Sequence, residues 1–224
     1  MATSAAEPPK VKICGVTDLA DAELAVELGA WAIGMVFHEP SPRRCSIERA
    51  LLIGRALRRR VELCGVFVNA TLEELALRTE ELGLTMLQLH GDEGPAFCAE
   101  AGRRTGARVI KALQVAGAGD VRELERYHVD FQLADARAKA PERRDLRGGT
   151  GETFDWGLLA GRRSRIPLIL SGGLGPENVA EAIVRVRPFA VDSASGTERS
   201  PGHKDEGKLR AFFDAVAGTR AVAA

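Results

Sequence analysis

The chain has no excess of either charge: 31 lysines and arginines balance 31 aspartates and glutamates over 224 residues. Nothing in that balance recruits a nucleic-acid backbone or an anionic membrane surface. No apolar run approaches the ~18 to 20 residues of a membrane-spanning helix. The opening stretch "MATSAAEPPK" lacks the apolar segment of a signal peptide, so residues 1–10 read as a disordered tail. Cysteine is sparse, and Cys14, Cys45, Cys64 and Cys98 stand far apart with no CxxC pair. That usage argues against a disulfide framework and a zinc site, and it suits a reducing, cytoplasmic setting.

What the sequence does have is alternation. Eight short apolar runs recur: "VKICG" (11–15), "WAIGMVF" (31–37), "VELCGVFV" (61–68), "LTMLQLH" (84–90), "ARVIKAL" (107–113), "VDFQLAD" (129–135), "IPLILSG" (166–172) and "PFAVDSA" (188–194). Segments such as "DLADAELAVELGA" and "GPENVAEAIVRVR" between them space apolar residues as one face of a helix. Near-continuous apolar strands imply burial on both faces, hence a parallel sheet covered by helices. Eight strand–helix units predict an α/β fold, a single (β/α)8 TIM barrel over 11–218 with a tail at 219–224; a doubly wound open sheet is the rival. Barrel chemistry gathers at the C-terminal ends of the strands, so those ends carry the candidate residues.

Strand 1 ends Lys12-Ile13-Cys14-Gly15. With a period of two, Val11 and Ile13 suit the helix layer, while Lys12 and Cys14 point into the barrel. A buried lysine needs a partner, and a cation beside a thiol favours the thiolate. Strand 6 ends in Asp135, with Phe131 and Leu133 on its face; a thiol and a carboxyl across the mouth can act as base and acid on one small substrate. After strand 7 come Gly172-Gly173 and Pro176 at a helix start, and after strand 8 come Asp192 and Ser195-Gly196. Such turns bring backbone N–H groups close to an anion, and the loops after strands 7 and 8 hold phosphate in many barrels. "HEPSPRRCS" offers Arg43 and Arg44 on a proline-stiffened loop suited to a bidentate carboxylate contact. "LQLHGDE" ends strand 4 with His90, which has no metal-spaced partners and is not read as a metal ligand. The long, charged, glycine-rich stretch 136–153 reads as either a disordered surface loop or an active-site lid, with the lid favoured.

With these residues in order, the sequence resembles the phosphoribosylanthranilate isomerase family of tryptophan biosynthesis. "KICG", "SPR", "GVFVN", "QLHGDE", "GGTGETFDW", "LSGGL" and "VDSASGTE…PGHKD" carry the resemblance, from about Val11 to Val216. One departure is visible: Gln132 and Ala134 stand where the family's strand 6 runs aliphatic into its aspartate. The resemblance implies a (β/α)8 barrel and an Amadori rearrangement without metal or cofactor. The substrate implied is a small phosphosugar, N-(5′-phosphoribosyl)anthranilate, with no nucleic-acid or membrane partner, acted on by a cytoplasmic monomer or homodimer. The family's thiol base falls on Cys14, its acid on Asp135 and its carboxylate-reading arginine on Arg43. Its phosphate turns fall on Gly172-Gly173 and Ser195-Gly196. On this reading Cys14 works ionised and Asp135 protonated. Their pKa values must then be displaced toward each other from about 8.5 and about 3.9, with Lys12 sustaining the thiolate and burial holding the acid protonated. Two alternatives remain: a bifunctional isomerase that also takes the histidine-pathway aminoaldose, and a non-catalytic phosphosugar-binding barrel.

Overall fold

Each apolar run becomes a strand because both its faces find cover. The computed structural model describes residues 7–136 and 153–219. The lid expected over 136–153 falls almost wholly outside them, as do residues 1–6 and 220–224 of the expected tails. Eight parallel strands close into a barrel in sequence order: β1 (Lys10–Cys14), β2 (Ala32–Val36), β3 (Glu62–Phe67), β4 (Met86–Leu89), β5 (Arg108–Val115), β6 (Phe131–Ala136), β7 (Leu168–Leu170) and β8 (Ala190–Ser193). Hydrogen bonding between β1 and β8 completes the ring, so the open-sheet rival is excluded. Strand β1 begins at Lys10, one residue inside the expected tail.

The outer layer holds α1 (Leu19–Glu27), α2 (Ile47–Leu57), α3 (Leu72–Leu82), α4 (Pro95–Thr105), α5 (Ala118–Leu124), α6 (Val179–Val186) and α7 (Glu206–Gly218). Helix starts follow local chemistry: Asp18, Ser46, Thr71 and Asp205 each accept a hydrogen bond from the first turn of the helix they precede. Between β6 and β7 the described residues form a short 3-10 helix, Trp156–Gly161. Pro176 lies in a turn before α6, not at its first residue. A two-stranded antiparallel ribbon of β9 (Glu198–Ser200) and β10 (His203–Lys204) follows β8. No helix among the described residues is long and apolar enough to cross a membrane.

Strand alternation divides the core in two. Val11, Ile13, Leu63, Leu87, Leu89 and Leu170 face the helices, in a layer with Ile53, Leu75 and Phe212. Cys14, Cys64, Met86, Ile110, Phe131, Leu133 and Ile169 fill the barrel interior. Lys12 and Cys14 therefore face inward, as the period of two requires. Gln132, on the helix-facing side of β6, is fully buried yet satisfied: its amide nitrogen donates to the carbonyls of Leu124 and Tyr127, and its oxygen accepts from Arg162. At the N-terminal end, Trp31 meets Phe131 and Phe189 edge-on at 5.4 and 5.5 Å, and Arg108 sits 5.5 Å over Phe131. That plug closes one end. The opposite end is left for chemistry.

Candidate active site

At the C-terminal mouth a single cleft is lined by Cys14, Arg43, His90, Asp135, Ser171 and Asp192, with Val36, Val66 and Gln88 among its walls. Five of the residues picked from the sequence thus share one cleft although they come from different strands and loops.

Lys12 is wholly buried and donates to Asp192 Oδ1 at 2.8 Å; Ser171 donates to the other carboxylate oxygen at 3.1 Å. The pair bridges β1 and β8, whose register sets Lys12 beside Asp192. One expectation is overturned here. Burial pushes the Cys14 thiol up, outweighing the pull of Lys12, and the Asp192 carboxylate works against the thiolate as well. Burial, more than the pairing of Lys12 with Asp192, keeps the thiol as the resting form.

The thiol and the ammonium fit because β2 offers no side chain beside them. Gly34 pairs with Cys14, and a Cβ there would stand 2.8 Å from Cys14 Sγ and 3.2 Å from Lys12 Nζ. Sequence reasoning missed Gly34; the signal was a glycine inside the apolar run "WAIGMVF".

Asp135 is buried; one carboxylate oxygen accepts from the N–H of Ala136 at 2.9 Å, and the other lies 3.4 Å from His90 Nε2. That approach lacks hydrogen-bond alignment, and His90 Nε2 has no hydrogen-bond partner among the described residues. His90 Nδ1 lies 3.3 Å from the Gln88 amide nitrogen. An amide NH2 can only donate, which assigns the imidazole proton to Nε2, facing Asp135. Gln88 shares the barrel-facing side of β4 with His90, and its buried amide oxygen is also unpartnered among the described residues. The alternation in "LQLH" would have revealed it.

Arg43 and Arg44 separate. Arg44 pairs with Glu39 in solvent, a contact of little energy. Arg43 turns inward and is held by Glu198, Nε at 2.9 Å from Oε1 and Nη2 at 2.8 Å from Oε2. Behind them Lys204 is fully buried. Neither Glu198 nor Lys204 was singled out from the sequence, though both lie in the quoted "SGTE…PGHKD" stretch.

The two glycine turns meet. Gly172 (φ +92°) leaves no room for a Cβ, which would fall 2.4 Å from the Ala136 nitrogen; Gly173 has φ +60°. A Cβ on Gly196 would strike the Leu174 carbonyl at 2.1 Å, and Ser193 donates to that same carbonyl. Ser195–Thr197 forms a single 3-10 turn after β8. The turns are therefore packed on each other and on the end of β6.

Comparison with known proteins agrees with this geometry. The family model described as N-(5′-phosphoribosyl)anthranilate (PRA) isomerase matches residues 11–215. The N-(5′-phosphoribosyl)anthranilate isomerase of Citrifermentans bemidjiense is 46% identical over 201 residues, covering 90% of this chain and 93% of its own. Monomers of the dimeric phosphoribosylanthranilate isomerase from Thermotoga maritima match with a TM-score of 0.82 at 39% identity, over 94% of this chain and 99% of theirs. A phosphoribosyl anthranilate isomerase solved with reduced 1-(o-carboxyphenylamino)-1-deoxyribulose 5-phosphate matches with a TM-score of 0.80 at 38% identity, again over 94% and 99%. A closed eight-stranded barrel, a thiol facing a carboxyl across its mouth, and a family match along nearly the whole fold lead to one conclusion: the chain belongs to the N-(5′-phosphoribosyl)anthranilate isomerase family.

Proposed function

We propose that this cleft carries out the Amadori rearrangement of N-(5′-phosphoribosyl)anthranilate, with Cys14 as base and Asp135 as acid. The activity is that of the family, an isomerase of tryptophan biosynthesis. The product is 1-(2-carboxyphenylamino)-1-deoxyribulose 5-phosphate. The observation that carries the division of labour is the shared cleft, which sets a thiol and a carboxyl from β1 and β6 around one small space.

Protonated Asp135 gives its proton to the furanose oxygen. The C1′–O bond breaks, and the nitrogen lone pair forms a C=N⁺ iminium. Positive charge on that nitrogen acidifies the C2′ proton and, close to Cys14, favours the thiolate that burial opposes, the thiol's own proton passing to solvent before the base acts. The thiolate takes the C2′ proton, the electron pair forms the C1′=C2′ bond, and nitrogen is neutral again. The enolamine then tautomerises to the ketone. His90 Nε2–H, 3.4 Å from Asp135, is placed to hydrogen-bond the carboxylate once the acid has given up its proton. Arg43 reads the anthranilate carboxylate, and the turns at Gly172-Gly173 and Ser195-Gly196 receive the phosphate. Lys12, with Asp192, balances charge under the reacting carbons. Protein acid–base chemistry suffices for every step.

The four buried, unpaired cysteines suit a reducing compartment, and we read the enzyme as cytoplasmic. It works as a monomer or homodimer, which light scattering on the eluted protein distinguishes. The deciding experiment follows the fluorescence of phosphoribosylanthranilate made in situ. Purified protein should abolish the signal catalytically, and the Cys14→Ala and Asp135→Asn proteins should not. A Cys14→Ala protein with normal turnover overturns the assignment.

A further inference from the structure

Lys204 takes no part in the chemistry above, yet it is among the most thoroughly buried cations of the described chain. Its ammonium donates to the Cys14 carbonyl at 2.7 Å and the Ala194 carbonyl at 2.9 Å, and it reaches Glu198 Oε1 at 3.3 Å. Glu198 is equally committed. Its carboxylate takes the Nε and Nη2 donors of Arg43, the Lys204 ammonium and the Gly202 N–H. The two cations share one anion, so Glu198 offsets the Arg43 guanidinium only in part and leaves it able to meet a substrate carboxylate. Glu198 occupies one edge of the guanidinium fork, leaving Nη1 and the second Nη2 hydrogen for a bidentate contact. Space is reserved for this route: a Cβ on Gly15 (φ +73°) would stand 2.7 Å from Arg43 Cδ.

We propose that Lys204 and Glu198 are positioning residues for the reaction. They form a clamp that fixes the backbone carrying the Cys14 thiol relative to the guanidinium of Arg43. Both groups line the same cleft, so one substrate can meet the thiol and the guanidinium together. The clamp thereby selects amines bearing an acid beside the nitrogen. A guanidinium on a loop would otherwise sample many rotamers, and the entropy of ordering it would be lost at each binding event. The clamp orders it beforehand. This inference rests on the reading of Arg43 as the carboxylate-binding group.

The test compares two substrates formed from ribose 5-phosphate, one with anthranilate and one with aniline, in wild type, Arg43→Ala, Glu198→Gln and the double variant. Glu198→Gln keeps the side-chain shape and should raise KM for the anthranilate substrate about tenfold, the scale of one misaligned charge-assisted hydrogen bond. The same change should leave kcat within about threefold and KM for the aniline substrate unmoved, since uniform binding is what is lost. In the double variant, Glu198→Gln should add nothing to Arg43→Ala. Lys204→Met should lower kcat on both substrates, because the Cys14 carbonyl is released. Should Lys204→Met not fold, the Glu198→Gln series decides alone. Equal losses on both substrates, or additive effects of Arg43→Ala and Glu198→Gln, would show a merely structural role and overturn the clamp. A folded Lys204→Met protein with unchanged kcat overturns it too. If Arg43→Ala does not discriminate between the substrates, the reading of Arg43 fails first and the clamp falls with it.

Discussion

The ammonium of Lys12 lies 2.8 Å from the carboxylate of Asp192, and both are buried beneath Cys14. A charge taken out of water at this depth is held by its partner, and the partner also decides what it can do for its neighbours. Lys12 is fixed in its charged form, and its pull on the thiol, opposed in part by Asp192, is outweighed by burial. The thiol stays protonated at rest, and ionisation is left to the moment when the substrate supplies positive charge.

That arrangement gives a definite pH dependence. Because Cys14 acts ionised and Asp135 acts protonated, kcat/KM should show an acid limb and a basic limb, and burial of Cys14 should put the basic limb above the ordinary thiol range. Iodoacetamide should alkylate Cys14 at pH 7 more slowly than it does free cysteine. Lys12→Met should slow alkylation further, and it should cost about 3–5 kcal/mol of stability by leaving Asp192 buried without its cation. Faster alkylation in Lys12→Met would refute the balance drawn here.

The acid half of the mechanism predicts a different pattern. Asp135→Asn should lower kcat by about 10²–10⁴, the usual worth of a positioned proton donor. Spontaneous opening of the sugar leaves a trace of rate. His90→Asn should lose less, about tenfold, because it removes a neighbour of the acid and not the acid itself. An Asp135→Asn enzyme turning over near the wild-type rate would sink this assignment.

Gly34→Ala tests the space around the thiol. Its new Cβ would stand 2.8 Å from Cys14 Sγ, and the backbone of β1 pairs directly alongside. We expect about 1–3 kcal/mol of destabilisation from overpacking. The loss of turnover should be out of proportion to that, at least tenfold, since the displaced atom is the base itself. Crystallography of the variant should show the sulfur moved; unchanged sulfur and unchanged kcat together would refute the point.

The phosphate turns require a subtler test than substitution. Gly172→Ala forces a side chain into φ +92° and into the Ala136 nitrogen, the residue that follows Asp135. That variant should damage kcat and KM together, by strain and by displacing the acid. Inorganic phosphate is the cleaner probe. It should inhibit wild type competitively and bind in a crystal between residues 172–173 and 195–196. Phosphate bound elsewhere, or noncompetitive inhibition, argues for another subsite.

Stability at high pH follows from the same burial. Cys45 and Cys98 are pushed up to about 11 and Cys64 to about 12, in each case chiefly by burial. The unfolded chain therefore releases these protons first, near pH 8.5. Native stability is fully present below that value and is lost as pH rises toward 11 or 12. Urea midpoints should fall between about pH 9 and pH 11, and Cys64→Ala should flatten that fall. A midpoint independent of pH over this window would contradict the assignment.

Periodicity alone determined the strand–helix alternation and the face each strand residue takes. Eight apolar runs separated by amphipathic segments admit few parallel-sheet solutions, and the period of two already put Lys12 and Cys14 inside and Val11 and Ile13 outside. The strand-end rule then selected Cys14, His90 and Asp135, because a polar group closing an apolar strand stands out against its neighbours. Closure of the ring was decided only by the β1–β8 pairing, a contact between residues some 180 apart in sequence. The same distance hid the electrostatics. Lys12 and Asp192, Arg43 and Glu198, and Lys204 and the Cys14 carbonyl are each separated by more than 150 residues. A residue's local spacing records which face it occupies. Whether its charge is free or paired depends on what the closed barrel brings within 3 Å of it, and that is why the lysine beside the thiol was legible while its pairing was not.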